Sequence, residues 1–163
     1  MAAETLDVTS MIPQKFEPKR KNRWILMIEG IDAYIIKTTS RPTITTETVE
    51  IPFMNSRRYI AGKTTFGAMA VTLHDPIAPS GAQQVMEWVR THFESVSGRA
   101  GYADFYKRDI QLKLLDPVGT VIELWDIKGA FILEANFGEL TYEDHGAQEI
   151  TLSLQYDNCV LQF

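Results

Sequence analysis

The run Glu149-Ile150-Thr151-Leu152-Ser153-Leu154-Gln155-Tyr156 permits little besides a β-strand with one dry face and one wet one. Ile150, Leu152, Leu154 and Tyr156 alternate with Thr151, Ser153 and Gln155, the period of two that places one set against a core. The whole stretch from Thr120 to Asp157 has this character. Thr120 to Lys128 reads as a strand, Gly129 as a break, and Ala130 to Tyr142 as a second strand. The polar turn Glu143-Asp144-His145-Gly146 then leads into the third. Three successive strands rich in β-branched and aromatic residues commit the chain to a sheet.

The preceding segments extend the pattern. Residues up to Asn22 lack periodicity and contain Pro13, Pro18 and the basic run Lys19-Arg20-Lys21, with Arg23 following. They read as an extended arm, its cations either a solvated lead-in or a contact for phosphate or an acidic partner. Trp24 to Glu29 alternates as a strand, and Gly30-Ile31-Asp32 is expected to turn it into a hairpin with Ala33 to Thr39. Ile35 and Ile36 make both faces of that return apolar, so it is either sandwiched or covered by another subunit. Thr43 to Ala61 reads as a long hairpin broken at Pro52-Phe53-Met54-Asn55-Ser56. Its tip either exposes Phe53 and Met54 as a contact surface or folds them back onto the sheet.

Thr65 to His74 follows as a strand with Met69, Val71 and Leu73 inward. One helix is expected next. Ser80 and Gln83 have capping-box spacing, Gly98 is a stop, and Val85, Trp88, Val89, His92, Phe93 and Val96 form an apolar stripe. Tyr102 to Asp116 returns to strand and ends at the turn Asp116-Pro117-Val118-Gly119. The element pattern is mainly β, with one amphipathic helix packed on the sheet.

Chemistry is not visible in the residue pattern. His74, His92 and His145 lie far apart, without the spacing of a metal site. Gly62-Lys63-Thr64 mimics the end of a phosphate-binding loop, but Arg57 stands where that motif requires glycine. Glu139, Glu143, Asp144 and Glu149 surround a turn, more in keeping with solvated turn chemistry than with an acid–base pair. A single cysteine, Cys159, excludes an internal disulfide and a thiolate cage, and reads as a small semi-apolar residue near a strand end.

The formal net charge of −5 over 163 residues argues against gripping a polyanion, which needs excess lysine and arginine. It suits a surface that DNA passes without sticking. No apolar run reaches the ~20 residues of a membrane span, and the opening Met1-Ala2-Ala3-Glu4-Thr5-Leu6-Asp7 lacks the pattern of a secretory signal.

Several stretches in order carry a likeness. They are Ile51-Pro52-Phe53-Met54-Asn55, Ile60-Ala61-Gly62-Lys63-Thr64-Thr65-Phe66, the helix at Gln83 to Phe93, Ile127-Lys128-Gly129-Ala130-Phe131, Phe137-Gly138-Glu139-Leu140 and the closing Glu149 to Tyr156. Over about Arg23 to Asp157 this arrangement resembles the tail tube protein of contractile-tailed bacteriophages. Type VI secretion tube proteins share that architecture.

The resemblance implies an antiparallel β-sandwich or β-barrel with one helix, joining through strand edges into a homo-hexameric ring. Rings would stack into a hollow tube in the virion, assembled in the host cytoplasm, through which DNA passes without specific binding. It implies an N-terminal arm over residues 1–22 that touches a neighbour and a single tube domain over 23–163. The hairpin 43–61 would reach the next ring, which makes Glu50, Ile51, Pro52, Phe53, Met54, Asn55, Arg57 and Arg58 the expected stacking residues. Sheath, baseplate and tail terminator proteins would be partners; no cofactor, metal, membrane or catalytic residue is expected. Glu47, Glu50, Glu123 and Asp126 are candidates to face the bore, the other reading being an outer, solvated face. A tube-end or baseplate component, a monomeric ligand-binding β-barrel and an enzyme are the competing expectations.

Overall fold

The computed structural model describes residues 11–13 and 15–163; the rest of the expected arm, residues 1–10 and 14, lies outside the described residues. In chain order the elements are β1 (Trp24–Ile28), a 3-10 turn η1 (Ala33–Ile35), β2 (Ile36–Thr39), β3 (Ile44–Phe53), β4 (Ser56–Phe66) and β5 (Met69–His74). Then come α1 (Gly81–His92), α2 (Ala103–Tyr106), β6 (Arg108–Leu115), β7 (Val121–Asn136), β8 (Glu149–Gln155) and β9 (Asn158–Leu161).

The stretch that dominates the sequence also dominates the fold. One antiparallel sheet runs β1-β6-β7-β8-β5-β2, with β9 beside β7. β7 is 16 residues long and belongs to two leaves of this sheet. Its first half lies between β6 and β9, and its second half, from Phe131, pairs with β8. The pivot is Gly129, at φ +67, so the glycine read as a break bends one strand where it was expected to separate two. A Cβ there would lie 2.3 Å from a carboxylate oxygen of Asp157.

Folding the leaves together buries one side of each. Leu26, Ile28, Ile110, Leu112 and Ile127 face Met69, Val71, Leu73, Ile150, Leu152 and Leu154 across the interior. Each such side chain, fully removed from water, stabilises the fold by about 1.5–3 kcal/mol. The alternation at Ile150, Leu152, Leu154 and Tyr156 is realised, all four being buried. The result is a sandwich and not a closed barrel, because β1 and β2, the two ends of the path, do not pair.

Five local expectations are corrected. β1 forms no hairpin with the segment after it; β1 pairs with β6, and β2 with β5. The connector instead crosses from one leaf to the other, with Ile31 and Ile35 buried on the way, which explains the two apolar faces seen in sequence. The helix ends at His92 and not near Gly98. Val96 is fully exposed beyond it, and Val85 and Trp88 carry the buried stripe. Ser80 stands at the N-cap position without a side-chain bond, and Asp75 accepts from the Ala82 N–H instead, at 3.2 Å.

Tyr102 to Tyr106 holds a helical turn, α2, whose Tyr106 carbonyl accepts from Trp88 Nε1 at 2.7 Å. Finally, residues 137–148 are loop, where strand was expected to run to Tyr142, and β9 is an additional strand.

Candidate functional site

The hairpin β3–β4 stands apart from the sandwich. Every residue of β3 is exposed, and in β4 only Gly62 and Phe66 are partly covered. Ten residues at ~3.3 Å each give it a reach of about 30 Å. Its base is fixed to the end of β8: the Tyr156 hydroxyl accepts from the Thr43 N–H at 3.2 Å, and Gln155 Nε2 donates to the Phe66 carbonyl at 3.1 Å. Phe66 and Tyr156 also pack ring against ring, 5.9 Å between centroids. Burial pushes the Tyr156 hydroxyl above its ordinary pKa, opposed by that backbone hydrogen bond.

Pairing of Thr48 with Ala61, Glu50 with Tyr59 and Pro52 with Arg57 defines one face of the distal hairpin. Val49 with Ile60, Ile51 with Arg58 and Phe53 with Ser56 define the other. The first is polar and carries an ion pair from Arg57 to Glu50 at 3.1 Å. The second is an apolar strip running to the tip, where Met54 takes φ 48 in the two-residue turn with Asn55. Phe53 is 66% and Met54 91% exposed, so neither folds back. The expected stacking residues are thus brought together in the outer half of the hairpin. Ile51, Phe53 and Arg58 share one face, Glu50, Pro52 and Arg57 the other, with Met54 and Asn55 at the turn.

The four acids expected at a bore do not form a set. In a strand, residues an odd number apart point to opposite faces. Glu47 and Glu50 are therefore on opposite sides of the hairpin, and Glu123 and Asp126 on opposite sides of the first leaf. Glu123 is only 4% exposed and has its carboxylate occupied by Lys19, by Trp125 Nε1 and, at 3.9 Å, by Arg41. It faces the interior, and a role on an open wall is corrected accordingly. Burial pushes its pKa up, but the bonds from Lys19 and Trp125 and the charge of Arg41 outweigh this and hold it below the ordinary glutamate value. Asp126 is on the outer side, accepting from Gln111 at 3.1 Å and Gln162 at 2.8 Å.

Sequence reasoning missed a cleft between the unpaired β1 and β2 ends of the sheet. It measures about 360 Å³, has Trp24, Leu112 and Leu114 on its floor, and is rimmed by Lys19, Arg20, Lys21, Lys37 and Arg41. Its signal was the basic run before β1. Lys37 and Arg41 arrive from the other leaf, which no local pattern announces.

The histidines remain dispersed: His74 ends β5, His92 ends α1 edge-on to Tyr106 at 4.9 Å, and His145 lies in the loop. Gly62-Lys63-Thr64 lies within β4, an extended strand. Cys159 is buried, which pushes its thiol pKa up. Among the described residues no group of three or more His, Cys, Asp or Glu could hold a metal. No helix among them is long and apolar enough to cross a membrane.

No protein-family model matches this chain, and no curated protein matches its sequence. Solved structures do match in fold. A chain of the anti-feeding prophage cap, the tube-terminating cap, superposes with a TM-score of 0.74 at 16% identity, covering 96% of this chain and 99% of that one. A chain of the sheath-tube complex of an extracellular contractile injection system, in its extended state, gives 0.67 at 16% identity, with 97% and 99% covered. Hcp1 from Flavobacterium johnsoniae gives 0.55 at 11% identity, with 86% and 94% covered. The chain therefore has, over nearly its whole length, the fold seen in structures of contractile injection systems and in Hcp1, the phage-tail-tube-like architecture to which its sequence pointed.

Proposed function

We propose that this chain is a structural, non-enzymatic component of a phage-type tail, forming six-membered rings that stack into the tube through which DNA is ejected. The observation that carries this reading is the hairpin β3–β4, with an apolar strip and an exposed tip but no packing of its outer half against the other described residues. A lone two-stranded ribbon is marginal in water, so its stability calls for a partner surface. The adjacent ring supplies one, with Ile51, Phe53 and Met54 as apolar contacts and Arg57 and Arg58 flanking them.

Free strand edges support ring closure. Among the described residues β1, β2 and β9 each have one strand neighbour, and the second half of β7 pairs only with β8. Such edges invite pairing with another copy. The outer face of the second leaf suits the bore: Ala70 pairs with Ser153 and Thr72 with Thr151, small side chains flanked by the acids Glu134, beside Ser153, and Glu149, opposite His74. Of the acids first considered, either Glu47 or Glu50 joins that wall, according to which face of the hairpin turns inward. Asp126, on the outer side of the first leaf, belongs to the external surface that meets a sheath. Baseplate and terminator proteins complete the partners, at the tube's ends.

A second reading, a tube-end part that makes one ring and stops, is favoured by the likeness to a chain of the cap structure. The two readings separate on the tip. Replacing Phe53 and Met54 with aspartate should leave thermal stability within about 0.5 kcal/mol, since both are exposed. Sedimentation velocity should then show single rings where the unaltered chain shows stacks. Unaltered stacks in the double variant would remove the hairpin from the axial contact, and single rings without stacks in the unaltered chain would favour the tube-end reading.

A further inference from the structure

We propose that the cationic cleft between β1 and β2 is the receptor for the 137–148 loop of a neighbouring copy within the same ring. This rests on the reading of the chain as a ring-former and names the contact that closes the ring. The two surfaces match in charge. The rim carries Lys19, Arg20, Lys21, Lys37 and Arg41, of which Lys19 and Arg41 face Glu123 and Lys37 faces Glu149. Lys21 has no ion pair among the described residues, and Arg20 meets only the exposed Glu17 at 3.8 Å, so a positive surplus remains. The loop carries Glu139, Glu143 and Asp144, none in an ion pair among the described residues.

The surfaces also match in apolar content. In the loop Leu140 is 90% exposed and Tyr142 fully so, without any fold-back onto the sandwich. Left in water beside acids, both side chains are available to an apolar seat on another surface. The cleft floor is Trp24 with Leu112 and Leu114, and its volume of about 360 Å³ is in the range that holds inserted groups. The groove continues past Lys21 and Lys37 toward Tyr34 and Ile36, lengthening the seat along β2.

Topology then dictates what such a contact builds. The second leaf runs β7-β8-β5-β2. The loop leaves the β7–β8 end of this leaf, and the cleft lies along β2 at the other edge. Glu149 at the start of β8 and Lys37 at the start of β2 are joined by an ion pair, so both features lie at the same level of the strands. Insertion from one copy to the next is head-to-tail, and repetition closes a ring. Charge matching also fixes register and rejects a reversed neighbour.

The test is a charge exchange in the full chain, read by sedimentation velocity and electron microscopy. Arg20→Glu with Lys21→Glu alters the rim without touching the Lys19–Glu123 pair; Glu143→Lys with Asp144→Lys alters the loop. Each pair should raise the concentration for half-assembly about tenfold or more, and the four changes together should restore it to within about threefold. The rim variant makes the chain more acidic and the loop variant less so. A generic effect of net charge would therefore move them in opposite directions, whereas the docking contact weakens in both.

Far-UV circular dichroism and melting curves, unchanged in all variants, separate assembly from folding. If the loop variant assembles like the unaltered chain, or the combined variant fails to recover, the assignment is overturned. The cleft's occupant is then another segment, such as residues 1–10, or a different tail protein. If the unaltered chain never associates, the ring reading falls, and this contact with it. Rings that persist in every variant remove only the contact.

Discussion

Glu123 and Gly129 show how single positions in β7 set the geometry around them. Glu123 sits on the inner side of the first leaf, where an unpaired carboxylate would be costly, and the arm residue Lys19 is drawn back across the sequence to meet it. Its folded-state pKa is depressed, so its stabilising contribution is complete above the unfolded value of about 4.3 and is lost as pH falls through the lower folded value. Glu123→Gln should lower stability near neutrality by roughly 1–2 kcal/mol, a buried-pair loss discounted for the half-exposed lysine. It should also flatten the acid limb of the melting temperature between about pH 5 and pH 3. Thermal melts across that interval measure both. Gly129→Ala should cost about 1–2 kcal/mol for the left-handed backbone alone. It should cost more through the clash with Asp157, which would displace that carboxylate from Lys107, its partner at 2.6 Å. Urea denaturation gives the difference directly.

At the scale of elements, the sandwich strands were legible because each keeps a strict alternation against one core. Met69, Val71 and Leu73, like Ile150, Leu152 and Leu154, could be oriented from their spacing alone. Pairing partners were not legible. The Gly30-Ile31-Asp32 turn suggested a hairpin, yet Ile31 and Ile35 gain more by filling the gap between leaves than β1 gains from a local partner. Gly129 was visible as an interruption, but whether glycine bends a strand or ends it depends on what lies on both sides. That Glu47 and Glu50, like Glu123 and Asp126, point to opposite faces follows from parity alone, whereas the cleft was not legible, since its rim joins residues from separate leaves. The hairpin was readable in outline, and its anchoring was not. Tyr156→Phe removes the acceptor for Thr43 N–H and should cost about 1 kcal/mol. Because the base of β3–β4 would loosen while the core stays filled, amide exchange should quicken at Thr43 and Gly67 and remain slow in β8.

The molecule as a whole carries surface that its own core leaves uncovered. The sandwich core is closed by its own residues, and the described residues leave no buried side-chain polar atom without a partner. Yet an exposed ribbon, unpaired strand edges and a loop bearing Leu140 and Tyr142 all remain outside that core. Contiguous apolar surface of this kind marks sites where another surface docks. Under the proposed tube reading, the net charge of −5 would keep a polyanion mobile near the wall, with screening confining that effect to about 8 Å at physiological salt.

Electron microscopy of the purified full-length chain, concentrated at moderate salt, measures this most directly. The account predicts six-fold rings with an open centre, stacked end to end. A uniform population of single subunits, at concentrations where ring-formers are fully assembled, would contradict it.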